Sequence, residues 1–409
     1  MTQRYDKHVL NNGMVILGEP MQGVGSAAFN FVLPAGAALL PHGSCGAANV
    51  IADWVFRGAG DKNSRQLSDA LDGLGLQRAV SAGTCHISAG GVLEAGNLHH
   101  ALNLYAQIIM HPALHQDEFE LSRQLAIEAV LAMDDEPRQK VMLKVRELFY
   151  PNPWGRSTIG EIEQLKSLTA EKTARILQNN FNLSQTIFSV AGRYDFHAVC
   201  AQLEHLFDIS PPQPAADVVV TGRTEKYKHL DNEGAQVHIG LMTETVNPRH
   251  SHYYQAMMAV TVLSGGMSSR LFTEVREKRA LCYAIGARYH GLKDYAGIMC
   301  YAGTTPDNAQ QTVDVIKEQF NSLAAGISHA ELQRASVGLK SALILQSESS
   351  SSRAAAIAGD YYIYGRVRSL DEIKEKIEQT TVDSILAFLR ERQFTDFTAV
   401  TIGPRQVTV

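Results

Sequence analysis

Three prolines in four residues, Pro211, Pro212 and Pro214, stand in the stretch "ISPPQPAADVVVTGRTEKYKHL" from Ile209 to Leu230. They forbid regular helix there, and a lysine-rich polar run follows. On either side of this seam one order of signals is repeated. A strand pattern ("SAAFNFVLPAG" from Ser26; "AQVHIGLMTETV" from Ala235) leads to a helix with an apolar stripe. A glycine-marked turn, a pair of strands and another helix come next. The stretches "VLEAGNLHHALNLYAQII" and "GTTPDNAQQTVDVIKEQF" overlay at a shift of 211 (308 − 97), which sets Asn97 on Asn308 and Leu102 and Leu104 on Val313 and Val315. This order predicts a duplicated α+β chain. Each half would be an α/β sandwich whose mixed, largely antiparallel sheet is flanked by helices. The expected boundaries are 1–208 and 231–409, with 209–230 as linker.

Both halves end in further helices and close on a strand. "DEFELSRQLAIEAVLAM", the stretch after Asp135 and "LTAEKTARILQNNF" are helical by period in the first half, the last with a threonine cap at Thr169 and Glu171 two positions on. "SHAELQRASVGLKSALILQ", "SLDEIKEKIEQTT" and "VDSILAFLRERQ" do the same in the second. "QTIFSVAG" from Gln185 and "FTAVTIGP" from Phe397 are the closing strands. The serine run from Ser347 to Ala356 reads as a helix join.

Composition narrows the class. At 409 residues the chain is too long for one compact core. A net charge of −5 and no basic run argue against a nucleic-acid partner. No apolar stretch is long enough to span a bilayer. The opening "MTQRYDKHVLNNGMVILGEP" has neither a secretory apolar core nor transit-peptide character, so the cytoplasm is the expected location. Five cysteines at irregular gaps, none in C-x-x-C, point to buried small apolar residues and not to disulfides or a zinc knuckle.

The stretch "GAANVIADWVFRGAG", Gly46 to Gly60, raises the question of chemistry. Asn49, Ala52 and Asp53 fall at i, i+3 and i+4, one face of a helical turn. A metallopeptidase presents two ligands and a general base at that spacing. Elsewhere, His111 and His115 are separated by Pro112 and read as a loop before a helix. His99 with His100, and His250 with His252, read as surface or capping residues. In "LSGGMSSRLFTEVREKRALCYAIGARYH", Leu271, Phe272 and Val275 form a helical stripe. Alternation after Arg279 then puts Leu281, Tyr283, Ile285 and Ala287 on one strand face. Spacing alone makes Arg276 a solvated arginine with a packed stem and Tyr283 a core tyrosine.

The residues around the opening helix resemble the pitrilysin-type zinc peptidases, the family of insulysin and the mitochondrial processing peptidase. The resemblance covers essentially the whole chain. It is carried by Phe56, Arg57 and Gly58, by "LSDALDGLG", by "MDDEP" and by "YPNPWGRSTIGEIEQLKSLTAEKTARI". Members carry H-x-x-E-H on this helix. Here Asn49 and Asp53 stand at the histidine positions and Ala52 at the glutamate base. The third ligand position falls at Ala129, 76 beyond Asp53 (129 − 53), and Glu128 beside it is turned away by about 100°. A catalytic zinc needs three protein ligands plus water, so this chain is expected to bind none.

The resemblance also implies a second site. The family's S-x-R-L-x-x-x-x-R-E-x-x-G-L-x-Y segment ends in an arginine and a tyrosine that help hold the substrate backbone. Arg276 and Tyr283 match both, with Ala280 where the family has glycine. "SGGMSS" is too short to resemble the glycine-rich loop of the processing peptidase's metal-free subunit. The implied role is the non-catalytic subunit of a heterodimeric zinc peptidase, with zinc in the partner subunit and peptides as substrates. The alternatives are a structural subunit like the core proteins of the respiratory cytochrome complex, or a peptide-binding homodimer.

Overall fold

The computed structural model describes residues 3–207, 211, 214, 218–222 and 225–409. Much of the expected linker, Pro212 included, lies outside the described residues. The chain begins with strands β1 (Asp6–Val9), β2 (Val15–Pro20) and β3 (Ser26–Leu33), followed by helix α1 (Ala47–Trp54). A short ribbon, β4 (Gly58–Ala59) and β5 (Lys62–Asn63), leads to α2 (Ser64–Asp72), β6 (Gln77–Ala82), β7 (Ile87–Glu94) and α3 (Leu98–Met110). Helices α4 (Gln116–Ala132), α5 (Pro137–Phe149), α6 (Ile162–Ser167) and α7 (Ala170–Asn180) precede β8 (Ile187–Gly192) and α8 (Phe196–Phe207). Next come β9 (Tyr227–Asp231), β10 (Val237–Glu244), α9 (Tyr253–Ser264), β11 (Cys282–Gly291), β12 (Ala296–Thr304) and α10 (Ala309–Ala325). The chain closes with α11 (His329–Ser347), α12 (Ser350–Tyr364), α13 (Leu370–Glu378), α14 (Val382–Glu391) and β13 (Phe397–Gly403).

These elements form two compact units. The first comprises Met1–Ala132, Asn152–Val220 and Gln346–Val367; the second comprises Met133–Pro151, Thr221–Leu345 and Arg368–Val409. The first sheet runs β1-β2-β8-β3-β7-β6 and is antiparallel except for the pair β2 and β8. The second runs β9-β13-β10-β12-β11 and is antiparallel except for β9 and β13. Apart from β1 the two orders are the same, which is the duplication predicted from the repeated signals. The overlay at shift 211 holds in detail, because Asn97 and Asn308 are the N-cap residues of α3 and α10.

Period-two alternation decides what each sheet face buries. On β3, Ala27, Phe29, Phe31 and Leu33 enter the main core of the first unit beside Trp54, Tyr105 and Phe207. Ala28 and Val32 face the other way, onto α12, where Ala354, Ile357 and Ala358 cover them. In the second unit Val237, Ile239 and Leu241 of β10 join the core with residues of α9 and α10. The opposite face of β10 packs on α5, and a Cβ at Gly240 would stand 3.1 Å from the Val141 carbonyl oxygen. Each sheet is thus covered on one face by a helix encoded in the other half of the sequence.

All five cysteines are buried and free, as their spacing predicts. Of the serine run expected as a join, only Glu348 and Ser349 lie between helices; from Ser350 it is the start of α12, which the Ser349 side chain caps by accepting from the backbone N–H of Ser352. Among the described residues no helix is long and apolar enough to cross a membrane.

One titration in the second unit has a measurable consequence. The Tyr150 hydroxyl lies 2.7 Å from Nδ1 of His290. Burial, reinforced by the guanidinium groups of Arg146 and Arg288, pushes that imidazole down to about 4 from its ordinary 6.5. Between those values the unfolded chain binds a proton that the folded chain refuses. Stability is therefore expected to fall as pH drops from 6.5 to 4, by about 2 kcal/mol once partial solvent screening is allowed for. Urea denaturation at pH 7 and pH 4.5 should show this loss, and a smaller one in His290→Gln. An equal loss in both proteins would contradict the assignment.

Candidate functional site

Helix α1 starts from Gly46, whose φ of +97° lies in the left-handed region that favours glycine. The side-chain chemistry that follows is not arranged for a metal. The Asn49 amide donates to the Thr158 carbonyl. Ala52 is a buried methyl. The Asp53 carboxylate accepts from Ser122 Oγ at 2.6 Å and from Nε of Arg57, one turn on. Arg57 also reaches Glu118, at 3.2 Å. Burial works against the Arg57 charge, but its bonds to Asp53 and Glu118 outweigh that and raise its pKa above the ordinary value. Ala129 shares a face of α4 with Ser122 and Ala126, at i, i+4 and i+7, and is exposed. Glu128 is exposed and accepts from Gln124.

These residues do not fit zinc. The amide is committed to a backbone carbonyl, the carboxylate to a guanidinium and a hydroxyl, and the remaining two positions are methyl groups. No general base stands at position 52. Among the described residues no group of three or more His, Cys, Asp or Glu is placed to hold a metal ion. His99 and His100 are exposed on α3, and His111 and His115 flank the loop between α3 and α4.

The second unit brings Arg276 and Tyr283 together. Phe272–Glu277 is a π-helical turn, a wide winding that often marks functional sites. On it the Arg276 guanidinium lies 4.8 Å over the Phe272 ring and 5.4 Å over the Tyr283 ring. Lys278 and Arg279 both bind Glu274 at 2.6 Å, which holds its carboxyl below the usual range and occupies the nearby acid. Arg276 is left with no hydrogen bond or ion pair from its side chain among the described residues. Burial pushes the Cys282 thiol up to about 11 against the opposing pull of that guanidinium.

Tyr283 is not the core tyrosine that alternation predicts. Cys282 pairs with Thr304 and Ala284 with Gly303, so Tyr283 is the extra residue of a β-bulge. The bulge takes it off the face where Ile285 and Ala287 meet the core and leaves it 80% exposed. Ala280, just before, has φ +49°. That left-handed geometry costs an L-residue about 1–2 kcal/mol and explains why glycine suits the position. Asn49, Ala52, Asp53 and Ala129 belong to the first unit, Arg276 and Tyr283 to the second. Sequence reasoning missed Ser122 and Glu118, and it read Phe272 as stripe without its contact to the Arg276 guanidinium. The i, i+4 spacing of Asp53 and Arg57 was the available sign that the carboxylate is engaged.

A family described as "Peptidase M16 inactive domain" matches residues 167–339. An uncharacterized zinc protease of Mycobacterium tuberculosis is 25% identical over 403 residues, 97% of this chain and 92% of that protein. One from Rickettsia bellii is 22% identical over 410 residues, covering all of both chains. Among solved structures, a peptidase M16 inactive domain from Pseudomonas fluorescens superposes with TM-score 0.89 at 16% identity, over 99% of each chain. A protease from Helicobacter pylori gives 0.88 at 18%, over 98% of this chain and 100% of that one. A chain of Complex III2 from Candida albicans gives 0.84 at 16%, over 98% and 96%. At such identities the structural likeness is one of fold.

Proposed function

Since this chain is a member of the M16, pitrilysin-like peptidase family that lacks the zinc motif, we propose that it is the non-catalytic subunit of a two-chain zinc endopeptidase. The observation behind this reading is the contrast between the two units. The ligand positions of the first are filled by methyl groups or by groups engaged elsewhere, while the donors of Arg276 and Tyr283 are exposed and have no hydrogen-bond partner among the described residues. A guanidinium fork and a phenol are good donors to a peptide carbonyl, and they keep that role as its oxygen gains charge. Stacking on Phe272 and Tyr283 pre-orients the fork, so less freedom is lost when the peptide arrives. In this reading zinc, the attacking water and its base reside in a homologous partner that carries H-x-x-E-H, and the pair works in the cytoplasm.

A structural subunit with no part in hydrolysis is the second reading, and the fold likeness to a Complex III2 chain favours it. Mixing the purified chain with a zinc-motif homologue from the same source separates the two. The expected result is hydrolysis of unstructured peptides by the mixture at a rate well above that of the homologue alone. This chain by itself should carry no stoichiometric zinc and cleave nothing. One tightly bound zinc per chain with unaided cleavage would end the proposal; a mixture no faster than the homologue would favour the structural reading or a homodimer.

A further inference from the structure

The π-helical turn of the second unit has a counterpart in the first. Each unit places a short helical segment before a strand pair, β6 with β7 in one and β11 with β12 in the other. The fully buried Leu67 and Leu71 of α2 overlay the fully buried Leu271 and Val275 at a shift of 204 (271 − 67). In the first unit the next left-handed residue is Gly75, four beyond Leu71 (75 − 71), with φ +65°. In the second it is Ala280, five beyond Val275 (280 − 275), with φ +49°. The second segment thus holds one residue more, the insertion that widens an α-helical turn into a π turn.

The two segments are also held differently. In α2 the Gln66 side chain accepts from the Asn63 backbone and the Asn63 side chain from the Gln66 backbone, a capping box. The same shift sets Arg270 at the position of Gln66 (270 − 66 = 204), and the π turn has no side-chain cap. Arg270 instead reaches out of its own segment, to the junction of α10 and α11. Its Nε donates to Glu331 Oε1 at 2.6 Å and its Nη2 to Oε2 at 3.1 Å, a bidentate pair. Nη1 donates to Ser322 Oγ at 3.1 Å, and Nη2 also reaches the Gly326 carbonyl at 2.6 Å. Both charged side chains are largely shielded, at 16% and 20% exposed. The bond from Arg270, helped by those from Ser328 and opposed by burial, holds the Glu331 carboxyl down at about 2.

Phe272 follows Arg270 by two residues, and the Arg276 guanidinium lies over its ring. A π turn is a rare winding, and one without a cap needs an outside tie to keep it. We propose that Arg270 and Glu331 are positioning residues for the peptide grip. Their pair keeps the π turn in the winding that sets Arg276 against Phe272 and Tyr283. This role rests on the reading of Arg276 as a substrate-holding group.

A measurement without the partner and one with it test the role. In the full chain, the NMR resonance of the Arg276 side-chain N–H, identified by its loss in Arg276→Ala, should be displaced by the neighbouring rings. Arg270→Gln copies the first unit, and Arg270→Gln combined with Glu331→Gln strands no charge. Both should return the resonance toward the position of free arginine. In the reconstituted pair both should lower kcat at least about tenfold with little change in KM, since the group is misplaced and not removed. In an Arg276→Ala background they should lower it no further, because they act through that one residue. Arg270→Lys should not rescue, as an ammonium cannot grip both carboxylate oxygens as a fork does. An unmoved resonance, or a loss that adds to that of Arg276→Ala, would overturn the proposal. Full activity of the Arg276→Ala pair would sink the peptidase reading instead, and the resonance would then decide this one.

Discussion

Arg353→Ala is expected to lose about 3–5 kcal/mol of stability, because it strands a buried charge. Arg353, on α12, meets Glu19, on β2, at 2.8 Å, with side chains only 6% and 5% exposed. The second oxygen of Glu19 accepts from Gln3 at 2.9 Å, and the Tyr5 hydroxyl binds Gln3 at 2.8 Å. Burial, then the charge of Glu19, pushes the Tyr5 hydroxyl up to about 12, so it stays protonated as a donor. Without the guanidinium, Glu19 would sit desolvated with only Gln3 to support it. The double variant Glu19→Gln with Arg353→Met removes both charges and should lose much less. Both tryptophans of the chain, Trp54 and Trp154, belong to the first unit, so urea denaturation followed by their fluorescence reports on the right part. A loss under about 1 kcal/mol for Arg353→Ala would show that the pair is not what holds α12 on its sheet.

Arg276→Ala in the reconstituted pair is expected to lower kcat/KM by roughly 10²–10³-fold, the usual effect of deleting one donor to a developing oxyanion. In the proposed role the contact would strengthen as charge develops, so kcat should fall with kcat/KM instead of KM rising alone. Arg276→Lys should rescue little, since an ammonium neither forks nor stacks on Phe272 and Tyr283 as a planar guanidinium does. Stability should hardly change, as the side chain is exposed and its stacking on Phe272 and Tyr283 is a surface contact. An Arg276→Ala pair with full activity would move the balance to a purely structural subunit.

Much of this fold is legible because its signals are local. Thr169 caps α7 by accepting from Lys172, and the alternation of β3 is visible letter by letter. The topological duplication follows from the order of those signals. Non-local facts are harder. The serine run gives no sign of α12, which starts within it, and nothing in the sequence says that Ala354 lies on Ala28 and Ala191, more than 150 residues away. The strand β9 hides in a lysine-rich stretch because an edge strand paired on one side only buries little and tolerates charge. For the site, the lost ligands are plain from residue identity, whereas the exposure of Tyr283 is not. A bulge shifts the pleat by one residue, and single-sequence alternation has no way to register the extra one. Ala280 gave no warning, since alanine seldom marks a left-handed turn.

The traded helices carry a lesson about manufacture. As the chain leaves the ribosome, β1 to β8 are complete before α12 exists, so one apolar side of the first sheet stays bare until well past the midpoint of synthesis. Neither half of the gene encodes a self-sufficient product. Severing the message at the proline seam would give two polypeptides, each missing its own lid and holding the other's.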